Sequence, residues 1–146
     1  MDIDPDKDVL IKPVKFEEEI DEDRIVNFLE ETEKTQVVDR EIITSEKNIV
    51  HAIKETERAY EQGNEISHVK SIGLLLRLTG TRQIKDAIEK AKVKGRRAVF
   101  ICFDKDPGET WKKFKKEFDF KEEDLPQASE EKIKKEMEKA STFWMD

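Results

Sequence analysis

The chain has 146 residues, 43% of them charged and 36% hydrophobic, with a formal net charge of −7. That length fits a single domain, residues 1–146, with a real core, and the acidic balance excludes a protein that coats nucleic acid by bulk charge, though not one with a local basic patch. With one cysteine, Cys102, no intrachain disulfide forms and a reducing compartment is expected. The acidic start MDIDPDKD has no apolar leader core, and no apolar stretch approaches the roughly 20 residues that span a bilayer, so a soluble, cytoplasmic chain is expected.

In chain order, Val9 to Phe16 (VLIKPVKF) reads as a strand, and Pro13 assigns it to an edge or marks a break. Asp21 to Lys34 reads as a helix, with acids in its first turn and Ile25, Phe28 and Leu29 on one face. Gln36 to Ile43 is β-branched at both ends and reads as a strand. Ser45 offers an N-cap for a helix to about Glu61, whose inner face is Ile49, Ala52, Ile53, Thr56 and Tyr60. Gly63 suits its left-handed C-terminus.

Ser67 to Leu78 then forms a helix whose C-terminal half is apolar on nearly every side. Such a helix is buried all round or offers its extra face to a partner. At Thr79-Gly80-Thr81 the pattern breaks, because Gly80 takes a positive φ without cost and a Thr hydroxyl can accept from the next helix's free N–H groups. The next helix carries Ile84, Ala87, Ile88 and Ala91 and ends at Gly95. Ala98 to Phe103 is continuously apolar, as in a central strand covered on both faces. Asp106-Pro107-Gly108-Glu109 combines an acidic cap, a helix-start proline and a glutamate at the third position. Trp111, Phe114 and Phe118 line that helix's inner face. A short strand is expected near Leu125, and a last helix capped by Ser129 carries Ile133, Met137 and Ala140.

Three to five strands among five or six helices make the fold α+β, a small mixed sheet with the Ala98 strand at its centre. Three successive helices between the second and third strands do not fit regular βαβ winding.

Chemistry-bearing motifs are scarce. No GxxxxGK or GxGxxG spacing occurs, and His51 and His68 lack a second metal ligand one helical turn away. Cys102 lies in VFICF with no base beside it and reads as a small hydrophobe. Asp104-Lys105-Asp106 resembles the start of a calcium loop, but Pro107 follows and helix capping accounts for it. Helical spacing makes Trp111, Phe114 and Phe118 core rather than a stacking platform for bases. No catalytic group, metal or cofactor is expected.

The segment LLLRLTGTRQIKDAIEKAK remains. Leu74, Leu75, Leu76 and Leu78 exceed what one helix on a small sheet buries. Arg77, Arg82 and Lys85 give a basic spot beside them, and Lys94, Arg96 and Arg97 give another in KVKGRR. One reading is a helix-turn-helix that reads the DNA major groove with the 82–93 helix, since Arg82, Gln83 and Lys85 suit base edges. The apolar preceding helix and the net charge argue against it. A hydrolase or transferase assembled only in three dimensions ranks below both, for want of an activated nucleophile.

The stretches NIVHAIKETERAY, ISHVKSIGLLLRLTGTRQIKDAIEKA and RRAVFICF resemble the smallest subunit of the KEOPS complex, the PRPK-binding protein family. The most specific element is Ser/Thr-Gly-x-x-Gln-Ile-x-x-Ala-Ile, here Thr79-Gly80-Thr81-Arg82-Gln83-Ile84-Lys85-Asp86-Ala87-Ile88. The likeness extends from about Gln36 to Phe118 and thins on either side. It implies an α+β, non-catalytic subunit that binds the small atypical kinase/ATPase of KEOPS. It also implies help in recruiting tRNA, including its 3′ end, for threonylcarbamoyladenosine modification. On this reading Leu74, Leu78, Gln83 and Ile84 dock the kinase. Arg77, Arg82, Lys85, Lys94, Arg96 and Arg97 are the candidates for tRNA.

Overall fold

A computed structural model describes residues 9–63 and 69–125. Its elements are β1 (Leu10–Phe16), α1 (Glu22–Glu30), β2 (Thr35–Asp39), a 3-10 turn (Arg40–Ile42), α2 (Glu46–Gln62), α3 (Lys70–Thr79), α4 (Ile84–Ala91), β3 (Arg97–Cys102), α5 (Pro107–Glu117) and β4 (Phe120–Glu122). The fold is α+β, as expected. The expected start of α3 at Ser67, His68, the Ser129 helix and the Phe143-Trp144 tail lie outside the described residues. Contacts group the described chain into two compact units. One comprises the segment ending at Arg40 together with Lys92–Asp124, and the other comprises Glu41–Ala91 with Leu125.

The first unit is built on a four-stranded sheet in the order β2-β3-β1-β4, and every pairing is antiparallel. β3 is central, and each residue from Ala98 to Phe103 is buried. On one face Val14, Phe16, Val37, Ala98, Phe100 and Cys102 meet Ile25 of α1, Trp111 and Phe114 of α5, and Phe118 just beyond it. Ring centroids lie 5.0 Å apart for Phe100–Trp111 and 4.8 Å for Phe114–Phe118, spacings at which aromatic pairs stabilise beyond their buried area. Asp106 starts α5 as the sequence implies: its carboxylate accepts from Glu109 N at 3.2 Å, with Pro107 in the first turn.

β1 departs from expectation. Pro13 implied an edge strand or a broken one, yet β1 runs unbroken between β3 and β4. The reason is the shortness of β4, whose ladder covers only Val14 to Phe16. Pro13 O accepts from Glu123 N at 2.9 Å, so this residue's backbone groups point toward the β4 side. The missing N–H therefore falls beyond the last β4 rung, and the β1–β3 ladder loses no donor. The sequence also carried α1 too far, to Lys34, and β2 too far, to Ile43. β4 falls a few residues before Leu125.

In the second unit Ser45 Oγ accepts from Asn48 N at 3.1 Å and caps α2, whose far end closes on Gly63 at φ 71°. Ile49, Ala52, Ile53, Thr56 and Ala59 form its buried face. α3 packs against α2 and α4. Gly73 permits the α2 approach, because a Cβ there would lie 3.2 Å from Thr56 Cγ2. Gly80, at φ 71°, ends α3 and donates to Leu76 O at 2.8 Å. Thr81 Oγ1 then accepts from Gln83 N at 3.1 Å, the hydroxyl role foreseen at this corner.

Candidate partner and nucleic-acid interface

The structure overturns the expectation that the α3 leucines lie uncovered. Leu74 and Leu76 are 0% exposed, Leu78 2% and Leu75 3%. With α2 and α4 both on α3, a helix that is apolar all round is satisfied within the fold. Leu74 and Leu78 are therefore core residues and do not present a docking surface.

Arg77 is the second correction. It is 2% exposed, and its Nη1 donates to Gly73 O at 3.1 Å. Burial lowers its pKa to about 10, against the opposing influence of Glu55 and Tyr60. It stays cationic at neutral pH but is enclosed, so it offers no phosphate contact.

On α4, Ile84, one of the expected docking residues, is 40% exposed, and Ile88 is 46% exposed. Ala87 and Ala91 are the members of the stripe that turn inward, at 0% and 4%. Two small residues let α4 sit close to its neighbours, which leaves the isoleucines, one turn apart, on the outer face. Arg82, Gln83, Lys85, Asp86 and Glu89 are exposed around them. The result is a small apolar patch with a mixed-charge rim, the anatomy of a protein interface.

Lys94, Arg96 and Arg97 are exposed, as an RNA contact requires, but they belong to the first unit while Arg82 and Lys85 belong to the second. Arg96 Nη1 donates to Glu17 O at 3.2 Å, and Arg97 Nε lies 3.5 Å from Glu123 Oε1.

Two further cations escape the sequence reading. Strand register sets Lys15 opposite Arg97 on one side and Lys121 on the other. Alternation in KPVKF shows that Lys15 turns away from Val14 and Phe16, but its cross-strand neighbours depend on register, which no local pattern reveals.

The remaining chemical candidates are accounted for structurally. Cys102 is fully buried and its sulfur accepts from Thr35 Oγ1 at 3.4 Å. Trp111, Phe114 and Phe118 are 7%, 0% and 2% exposed, too enclosed to stack on bases. Among the described residues no group of three or more His, Cys, Asp or Glu side chains could hold a metal ion, and no helix is long and apolar enough to cross a membrane. An open cleft of about 590 Å³ in the first unit is lined by Glu17, Glu18, Asp119 and Glu122 with Arg24 and Lys115, and contains none of the candidate residues. No protein-family model matches the chain, and no curated protein matches it.

Proposed function

We propose that this chain is a non-catalytic subunit that docks the small atypical kinase/ATPase of the KEOPS complex through α4 and assists in bringing tRNA to threonylcarbamoyladenosine modification in the cytoplasm. The observation that carries the docking reading is the pair Ile84 and Ile88, which stand exposed on a helix whose alanines alone are needed inside. Covering two isoleucines with an apolar partner contributes on the order of 1.5–3 kcal/mol for each side chain fully buried, enough to make them the centre of an interface. The Thr79–Ile88 motif, which gives the resemblance its specificity, is the same stretch that builds this face. Leu74 and Leu78 are buried in α3, the helix on which α4 packs. For tRNA, the exposed candidates are Arg82, Lys85, Lys94, Arg96 and Arg97.

Use of α4 as a DNA-reading helix fits less well. Asp86 and Glu89 are exposed on it and would meet phosphates, while its apolar outer pair would be set against a charged groove. Co-purification with the kinase subunit tests the proposal: the wild-type chain carries the kinase, and Ile84→Glu loses it while remaining folded. If Ile84→Glu retains the kinase at wild-type yield, the docking face is elsewhere.

A further inference from the structure

The sheet of the first unit carries a row of like charges that its own packing does not require. Arg97 of β3, Lys15 of β1 and Lys121 of β4 are direct cross-strand partners, so their side chains leave the same face on one rung. This is the face opposite the aromatic core, because the next residues, Ala98, Phe16 and Phe120, pack into that core. Neighbouring strands lie about 4.8 Å apart, so three cations span roughly 10 Å. Arg97 and Lys121 are exposed and Lys15 is half-buried.

Carboxylates on this face neutralise only one end of the row. Glu123 takes Arg40 Nη1 at 3.0 Å and Arg97 Nε at 3.5 Å. Arg40 Nη2 also donates to Asp124 O at 3.2 Å, which ties it to the same segment. Lys15 and Lys121, directly opposed, form no ion pair among the described residues. The chain is rich in acids, yet among the described residues none pairs with them. Like charges directly opposed across strands destabilise a sheet, and a departure from local consistency of this kind marks a place where something outside the fold supplies the missing partner.

We infer that the Lys15–Lys121 rung, continued by Arg97, is a phosphate-binding track for the backbone of single-stranded RNA. The inference rests on the tRNA part of the proposed function and gives it a location that the motif residues do not. The face favours backbone over base. The neighbouring positions of β1 on this side are Ile11 and Pro13, and the aromatic rings that could stack on bases lie buried on the other face. Lysines that pair with no described residue suit a phosphate chain of variable geometry, since each acts as a mobile point charge. Lys94 and Arg96 are exposed in the loop that leads into β3, next to the row in sequence.

The test is the salt dependence of binding to a labelled oligouridylate, read by fluorescence anisotropy on the full chain. Each phosphate contact to a single strand contributes about 0.7 to the slope of log affinity against log salt, so the Lys15→Gln/Lys121→Gln variant should lose about 1.4 from that slope. Its melting temperature should be no lower than wild type, because the substitution removes a repulsion. Glu123→Gln should tighten binding by freeing Arg97, a gain that misfolding does not produce. An unchanged slope in the double lysine variant overturns the inference, as does an equal loss in Lys112→Gln/Lys113→Gln, a pair of exposed lysines on α5. Polyglutamate competing as well as RNA at matched charge also overturns it, in favour of an acidic protein surface. If the wild-type chain binds no RNA, the track and the tRNA role both fall, while kinase docking through α4 is decided separately by co-purification.

Discussion

Gly73 and Arg77 show how single positions decide what the second unit can present. Gly73 lets α2 and α3 approach, and the Thr56 side chain it faces is fixed by its own hydrogen bond to Ala52 O at 2.8 Å. Gly73→Val should therefore destabilise the chain by about 1–3 kcal/mol through overpacking, measured as a lowered denaturant midpoint at unchanged slope. Arg77 is enclosed and its pKa is lowered, so Arg77→Met should leave RNA affinity within about 2-fold of wild type at any salt, because no phosphate contact is lost. A loss comparable to that of the lysine variant would return Arg77 to the surface. At this scale the sequence was readable wherever the cause is local. Ser45, Asp106, Gly63 and Gly80 perform the capping and turning that their chemistry implies. The exposure of Arg77 was not readable, because burial depends on which helices arrive at its side of α3.

Helices α3 and α4 exchange the roles that their patterns suggest. A run of leucines looks like surplus apolar surface, whereas an isoleucine–alanine stripe looks like an ordinary inner face. Periodicity gives the direction of a stripe but not how much of it a neighbour covers. Every leucine of α3 is buried, with α2 and α4 packed on that helix, whereas α4 turns only Ala87 and Ala91 inward. Substitutions should divide accordingly. Leu78→Ala should cost about 2–5 kcal/mol of unfolding free energy, the range for a large-to-small change in a core. Ile84→Glu and Ile88→Glu should each change stability by less than about 0.5–1 kcal/mol, as expected of exposed positions. Equal destabilisation by all three would mean that the α4 face is core. In the sheet, the position of β1 was hidden for a comparable reason: Pro13 reports its missing donor faithfully, but the sequence does not show that β4 stops one rung short of needing it.

For the molecule as a whole, α+β class followed from the order of strand and helix patterns, because three consecutive helices between strands leave few alternatives. Strand register did not follow, and with it the row Arg97–Lys15–Lys121 stayed hidden. Net charge describes the chain without locating its cations. An overall −7 predicts weak bulk attraction to RNA, and the exposed positive rung predicts a local one. Binding to intact tRNA should therefore weaken steeply with salt, and it should weaken again when the 3′ terminus is trimmed. Equal affinity for trimmed and intact tRNA would remove the 3′ end from the account while leaving the backbone track in place. The most direct trial of the central claim is capture of the small atypical kinase by the tagged chain, comparing wild type with Ile84→Glu/Ile88→Glu at matched melting temperature. Wild type should retain the kinase and the folded double variant should not; retention by both would mean that α4 is not the docking face.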